Sequence, residues 1–334
     1  MSEAVPVIKA WQRQFLDLHR LPDAYLDTAD RYFAALAMTL ADVVVKTKAK
    51  KLATKQPGNQ AKHKPSPPGA LCVGLNGSQG SGKSTLADYV CCCLAQEHAL
   101  TAVALSLDDF YLTRAERQSL AADVHPLLQT RGVPGTHDVQ LLRQVLEALR
   151  TSSAEPVLIP RFDKSIDDRA PENRWTRCET PVDVIILEGW CLGAQSESAR
   201  IVAQPINALE RDEDPHHLWR SYSNRQLKDE YEPLYAQLDY WVMLAAPGFE
   251  QALRWRMEQE QKLRESAAGG GKGVMSDAQL RRFVQHFERY TRQCLRELPQ
   301  RMDVLLKMDS QRNIIKTHGL ALESPGPVRR ESNH

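Results

Sequence analysis

The chain has 334 residues, of which 42% are hydrophobic and 25% charged, with 43 Lys and Arg against 42 Asp and Glu. This length suits one large α/β domain with an appendage, and the composition is that of a globular protein rather than a fibrous or disordered one. A formal charge of +1 argues against a global pull toward nucleic acid or anionic membrane. No apolar run approaches the length of a spanning helix, and the polar, mixed-charge residues 1–20 do not read as a secretory signal.

Residues 7–45 read mostly as helix, with Trp11, Phe15 and Leu18 in one apolar stripe and Tyr32, Phe33, Leu36 and Leu40 in another. They form an expected helical appendage, residues 1–45. Residues 46–69 are rich in lysine and proline without apolar periodicity and read as an exposed linker. No aromatic residue interleaves those lysines, which disfavours a nucleic-acid tail.

A main domain is expected over residues 70–320, followed by a flexible tail, 321–334. Its strands read at 71–75, 103–107, 182–187, 240–244 and 304–308. Helices read at 84–97, 249–265 and 276–298, and Thr136 is the expected N-cap of a helix bearing Leu142, Val145, Leu146 and Leu149. Continuous apolar strands separated by helices imply a parallel sheet covered on both faces, with ligands beyond the carboxyl ends of the strands. The seven cysteines contain no C-x-x-C pair and read as small hydrophobes in a reducing cytoplasm.

Gly77-Ser78-Gln79-Gly80-Ser81-Gly82-Lys83-Ser84 fits G-x-x-x-x-G-K-[ST], after an apolar strand and before a helix. Glycines let successive backbone N–H groups converge on phosphate oxygens, and the helix N-terminus adds partial positive charge. Gly77 to Thr85 is therefore the expected nucleotide site, with Lys83 on the terminal phosphates and Ser84 on Mg²⁺. Glu188, after an apolar strand, is the expected second Mg²⁺ residue.

Asp108 and Asp109 follow the second strand. Asp108 is the expected proton acceptor for an attacking hydroxyl, with holding Mg²⁺ as the alternative role. Asp109 is expected to orient a neighbour or contact metal-bound water. Two charged segments, residues 131–138 and 160–169, read as acceptor loops. Arg254 and Arg256 lie on a later helix that could act as a lid over the transferring phosphate.

These segments together resemble the phosphoribulokinase and uridine kinase group of P-loop small-molecule kinases, and within it the D-glycerate 3-kinase family. The likeness rests on S-L-D-D-F-Y-L-T, R-G-V-P-G-T-H-D, P-R-F-D-K-S, I-L-E-G-W-C-L-G and L-R-W-R, spread through the kinase core. The sequence departs from the family pattern at Phe162, where Tyr is common, and in the shorter segment after Lys164.

The resemblance implies a three-layer P-loop NTPase sandwich and an ATP- and Mg²⁺-dependent kinase phosphorylating the 3-hydroxyl of D-glycerate. Asp108 maps to the family's proton acceptor. Arg131, Arg161 and Lys164 are then candidates for the substrate carboxylate, His137 and Asp138 for its 2-hydroxyl, with Asp109 and Tyr111 beside them. The rivals are another kinase of the group, acting on a nucleoside, pantothenate or a sugar phosphate, and a P-loop switch working through a protein partner. The switch would read guanine through Leu306-Lys307-Met308-Asp309, which has Leu where Asn or Thr is expected.

Overall fold

The computed structural model describes residues 8–54, 69–151, 155–266 and 276–322. Most of the lysine- and proline-rich stretch, and nearly all of the expected tail, lie outside them. The described residues form ten strands: β1 (Leu71–Gly77), β2 (Ala102–Ser106), β3 (Val157–Ile159), β4 (Phe162–Asp163), β5 (Asp168–Arg169), β6 (Thr176–Cys178), β7 (Val184–Gly189), β8 (Tyr240–Ala245), β9 (Val304–Met308) and β10 (Ile314–His318). Six of them make one sheet in the order β10-β9-β8-β1-β7-β2. All neighbours are parallel except β10, which runs antiparallel to β9 along that edge. The remaining four pair as two small antiparallel units, β3 with β6 and β4 with β5.

The apolar runs of the central strands are explained by two cores, one on each face. Val73, Leu75, Ile186, Val242, Leu244 and Leu306 point into one cluster. Their neighbours Cys72, Ile185, Leu187, Met243 and Leu305 point into the other. A period of two with both faces apolar reads in sequence as an unbroken hydrophobic strand. The helix Lys83–His98 covers the first face, while Val139–Arg150 and Asp277–Glu297 cover the second.

The N-terminal helices share the first of these cores. Phe33, Leu36, Leu40 and Val44 are buried in the same cluster as Leu75 and Leu94. Leu40→Ala is accordingly expected to cost about 3 kcal/mol in denaturant unfolding. A loss below about 1 kcal/mol would mean that the helix is not part of the core.

Two details differ from the helical reading. In the helix Ala10–His19 the buried residues are Gln12, Phe15 and Leu16, and Leu18 is 79% exposed. Gln12 is held inside by bonds from its amide to Asp30 Oδ1 at 2.6 Å and to the Tyr89 hydroxyl at 3.1 Å. A π-helical turn at Ala29–Phe33 then inserts an extra residue before the long helix Ala34–Thr54, shifting the face that later residues present. That helix continues to Thr54, past the linker boundary expected after residue 45.

No helix among the described residues is long and apolar enough to cross a membrane.

Candidate active site

Parallel pairing sets Leu75 of β1 against Glu188 of β7, and Glu188 against Ser106 of β2. The carboxyl ends of these three strands therefore lie side by side, and the expected chemistry-bearing residues follow them.

After β1 the chain turns through the phosphate loop into the helix Lys83–His98. Gly80 and Gly82 have φ of +75° and +89°, the left-handed region that a side chain disfavours. At Gly82 the backbone alone demands glycine, since an added Cβ would meet nothing within 4 Å. At Gly80 space demands it as well, because a Cβ would lie 2.8 Å from Trp255 Cβ.

Beneath the loop, Ser84 Oγ donates to Glu188 Oε1 at 2.7 Å. Lys83 Nζ lies 3.8 Å from Glu188 Oε2. That Oε2 is buried without a hydrogen-bond partner, as are Ser78 Oγ and Ser81 Oγ. Buried polar atoms without partners carry a desolvation cost unless a ligand satisfies them. A hydroxyl and a carboxylate side by side are hard oxygen donors suited to Mg²⁺, so these residues fit a magnesium–nucleotide group.

Asp108 and Asp109 stand in a 3₁₀ turn, Leu107–Phe110, directly after β2. Asp108 Oδ1 accepts from the Tyr111 hydroxyl and Oδ2 from Lys164 Nζ, both at 2.7 Å. Burial opposes its charge, but Lys164 and then Lys83 outweigh that penalty, so its pKa lies well below the usual carboxylate range. Asp109 faces a different partner. Its carboxylate accepts from Arg161 Nη1 at 2.7 Å and from the Phe162 backbone N–H at 3.1 Å, anchoring the β4–β5 hairpin to the end of β2.

His137 and Asp138 take supporting places. His137 is 5% exposed, stacks on Tyr111 with ring centroids 4.7 Å apart, and sets Nδ1 2.6 Å from the Tyr231 hydroxyl. Burial pushes its pKa down to about 4 against the pull of Asp108, so the ring is neutral. Asp138 is the N-cap of the helix Val139–Arg150, accepting from Leu141 N–H, and its other oxygen accepts from Arg169 Nη2 at 3.1 Å. Thr136, the expected cap, instead closes its own loop, accepting from Gly132 N–H and donating to Val133 O.

The cations of the two loops do not cluster freely. Arg131 pairs with Asp167 and lies over the rings of Phe162 and Tyr111 at 5.3 and 6.0 Å. Lys164 is 59% exposed, Arg161 42% and Arg131 25%, which leaves these three within reach of a ligand.

Residues that motif reading passed over hold the loops together. The Arg117 guanidinium is buried and donates to the carbonyls of Leu112, Gln129 and Asp167. Arg169 donates to Tyr111 O as well as to Asp138. On the helix Phe249–Ser266, the expected lid, Trp255 is fully buried while Arg254 beside it is exposed, and Arg256 lies 5.9 Å over the Phe283 ring. Asp309 of the guanine-like segment is occupied by its own loop, accepting from Gln311 N–H, Asn313 N–H and Asn313 Nδ2.

A glycine loop on a strand–helix junction, a Lys, Ser and Glu set beneath it and a carboxylate at the neighbouring strand end define a P-loop kinase. No protein-family model matches the chain. The sequence is 37% identical over 232 residues to a Schizosaccharomyces pombe protein described as the uncharacterized kinase mug58, covering 67% of this chain and 80% of that one. It is 32% identical over 229 residues to the chloroplastic D-glycerate 3-kinase of Arabidopsis thaliana, covering 65% of this chain but only 46% of the plant protein. Among solved structures, a D-glycerate 3-kinase from Cryptococcus neoformans superposes with a TM-score of 0.64 at 26% identity, over 85% of this chain and 98% of that one. The chain belongs to one family of P-loop kinases with the Schizosaccharomyces pombe kinase and is homologous to the D-glycerate 3-kinases. It is a kinase that uses ATP and acts on a small molecule.

Proposed function

We propose that the protein transfers the γ-phosphoryl group of ATP to the 3-hydroxyl of D-glycerate, giving 3-phosphoglycerate and ADP. The observation that carries this reading is the cluster of Lys164, Asp108 and Tyr111 at the end of β2, within electrostatic reach of Lys83. It joins a carboxylate that can receive a hydroxyl proton to an exposed ammonium that can receive an acid. The relatives named as D-glycerate 3-kinases support the choice of acceptor.

In this mechanism the backbone amides of Gly77 to Thr85 and the Lys83 ammonium hold the phosphates, and Ser84 and Glu188 hold Mg²⁺. When bound, the ion neutralises phosphate charge and helps align the transferring group. Tyr111 and Lys164 fix the Asp108 carboxylate. The acceptor 3-hydroxyl donates to Asp108, its oxygen forms the new bond to the γ-phosphorus, and the bond from that phosphorus to the leaving ADP oxygen breaks. The hydroxyl proton passes to Asp108. Because bond formation in such transfers lags behind bond breaking, Asp108 serves first to orient the hydroxyl, a role its low proton affinity suits.

Lys164 and Arg161 are the nearest candidates for the substrate carboxylate, with Arg131 behind them. A carboxylate that takes Lys164 also loosens its hold on Asp108, so acceptor binding raises the proton affinity of the base as chemistry begins. His137, neutral and buried, fixes Tyr111. Arg254 and Arg256 are candidates to neutralise charge in transfer. All seven cysteines are unpaired thiols, which supports a reducing compartment such as the cytoplasm.

The test is ADP release with Mg·ATP against D-glycerate, L-glycerate, pantothenate, uridine and ribulose 5-phosphate. Turnover on D-glycerate, with 3-phosphoglycerate as product, is expected. Turnover confined to another acceptor would keep the kinase and overturn the substrate.

A further inference from the structure

Arg312 lies in the loop after β9, 232 residues away in sequence from the glycine it touches. Its Nε donates to Gly80 O at 2.9 Å, and its guanidinium lies 4.9 Å from the Trp255 ring centroid. Its Nη2 donates to Glu258 Oε2 at 2.8 Å. Trp255 in turn donates from Nε1 to Ser310 O at 3.0 Å, two residues before Arg312. Gly80 itself packs against the backbone of Trp255 so closely that a Cβ there would lie 3.1 Å from the Trp255 carbonyl carbon. Arg312 has φ of +70°, an uncommon left-handed setting for a side-chain-bearing residue. The loop holds it there through Asp309, which accepts from the Arg312 backbone N–H and caps the turn.

Three elements from distant parts of the chain thus meet at one glycine of the phosphate loop. Of the three nitrogens of the Arg312 guanidinium, Nε fixes the loop carbonyl and Nη2 fixes the lid helix, while the plane of the fork covers the indole. Lysine cannot do all of this at once, since an ammonium is a point donor without a planar face. Motions of the first turns of the helix Phe249–Ser266 are therefore transmitted to Gly80, and the reverse.

We propose that Arg312 is a positioning residue for the nucleotide: through Gly80 and Trp255 it holds the phosphate loop in its phosphate-receiving shape and couples that shape to the lid helix. It touches neither acceptor nor reacting atoms. The inference rests on ATP being the donor, and not on which acceptor is used.

The experiment is direct titration of the full chain with Mg·ATP in the absence of any acceptor. Binding and tryptophan emission are read together, and Trp255→Phe assigns the part of the emission that belongs to Trp255. Arg312→Ala is expected to weaken Mg·ATP about five- to tenfold and to abolish the nucleotide-induced change in Trp255 emission. Arg312→Lys is expected to recover part of the affinity but not the emission response. Glu258→Gln keeps the bond to Gly80 and loosens only the lid-helix tether. It is expected to reduce the emission response with about a twofold change in affinity, and it decides the matter if Arg312→Ala lowers the nucleotide-free melting midpoint. Affinity within twofold of the parent in Arg312→Ala, or an unchanged Trp255 response in Arg312→Ala or Glu258→Gln, would overturn the proposal. Failure of the parent protein to bind Mg·ATP would instead overturn the kinase reading itself.

Discussion

Asp108→Asn is expected to lower kcat by about three orders of magnitude while leaving KM for ATP within about twofold of the parent value. The asparagine keeps the size of the side chain and can still accept from Tyr111. It cannot take up the hydroxyl proton, and it loses the charge that Lys164 pairs with at 2.7 Å. An equal fall in kcat and kcat/KM for the acceptor would mark an interaction made in the transition state. A loss confined to KM for ATP would move Asp108 from the acceptor to the metal. The pH profile gives a second measurement on the same residue. The folded pKa of Asp108 is depressed, so the carboxylate stays ionised as pH falls through the ordinary Asp value of about 3.9. Its contribution to kcat/KM, and to stability, is present above that value and lost only below it. Lys164→Met removes the larger of the two opposing cations and leaves burial less opposed, so the acid limb of kcat/KM is expected to move upward. Identical limbs in the parent and in Lys164→Met would show that Lys164 does not set the proton affinity of Asp108.

Glu210→Ala is expected to cost about 4 kcal/mol of stability, although Glu210 has no part in the chemistry. Its carboxylate is 1% exposed and accepts from Arg289 Nε at 2.9 Å and Nη2 at 2.6 Å, as well as from Ile206 N–H at 2.9 Å. Arg220, also 1% exposed, lies 3.9 Å from it and pairs with Asp214 at 3.3 Å as well. Removing this carboxylate takes two charge-assisted hydrogen bonds from Arg289, which keeps only Glu197 at 3.2 Å and the Gln204 carbonyl, and leaves the Ile206 N–H without its acceptor, a penalty that exceeds the net worth of the pair. Denaturant unfolding followed by circular dichroism measures it. Because the network ties the helix Ala208–Asp212 to the helix Asp277–Glu297, thermal inactivation is expected to fall with stability while kcat at low temperature holds. A loss under about 1 kcal/mol would show that water reaches the network and screens it.

The phosphate loop, the strands around it and the two strand-end carboxylates were legible because each is a local signal. A glycine spacing or an apolar run ending in an acid can be read in a dozen residues. What could not be read depends on partners distant in sequence. Asp109 and Arg161 are 52 residues apart, and nothing in either segment announces that they neutralise one another. Thr136 and Asp138 lie two apart and both are residue types that can cap a helix, and only the path of the loop makes Asp138 the one that meets a helix N–H. Leu18 was misplaced by counting an ideal helical period over a helix whose buried face includes the polar Gln12, tied to Tyr89. The order of the sheet was equally hidden, since β7 inserts between β1 and β2 although it starts only at Val184, long after β2 ends at Ser106.

That insertion divides the carboxyl edge of the sheet. On one flank, β1, β8 and β9 lead into the phosphate loop, the Trp255 helix and the Arg312 loop. On the other, β2 leads into Asp108 and the hairpin that carries Lys164. Neighbouring strands stand about 4.8 Å apart, so with β7 between them the donor and acceptor halves are held about 10 Å apart at their roots by backbone hydrogen bonds alone. The reach of an acceptor across that gap is thus a dimension of the scaffold rather than of its loops. If Asp108 and the hairpin take the acceptor, as proposed, exchanging the loops on that side for others of the same span is expected to retarget the enzyme without retuning how it handles ATP.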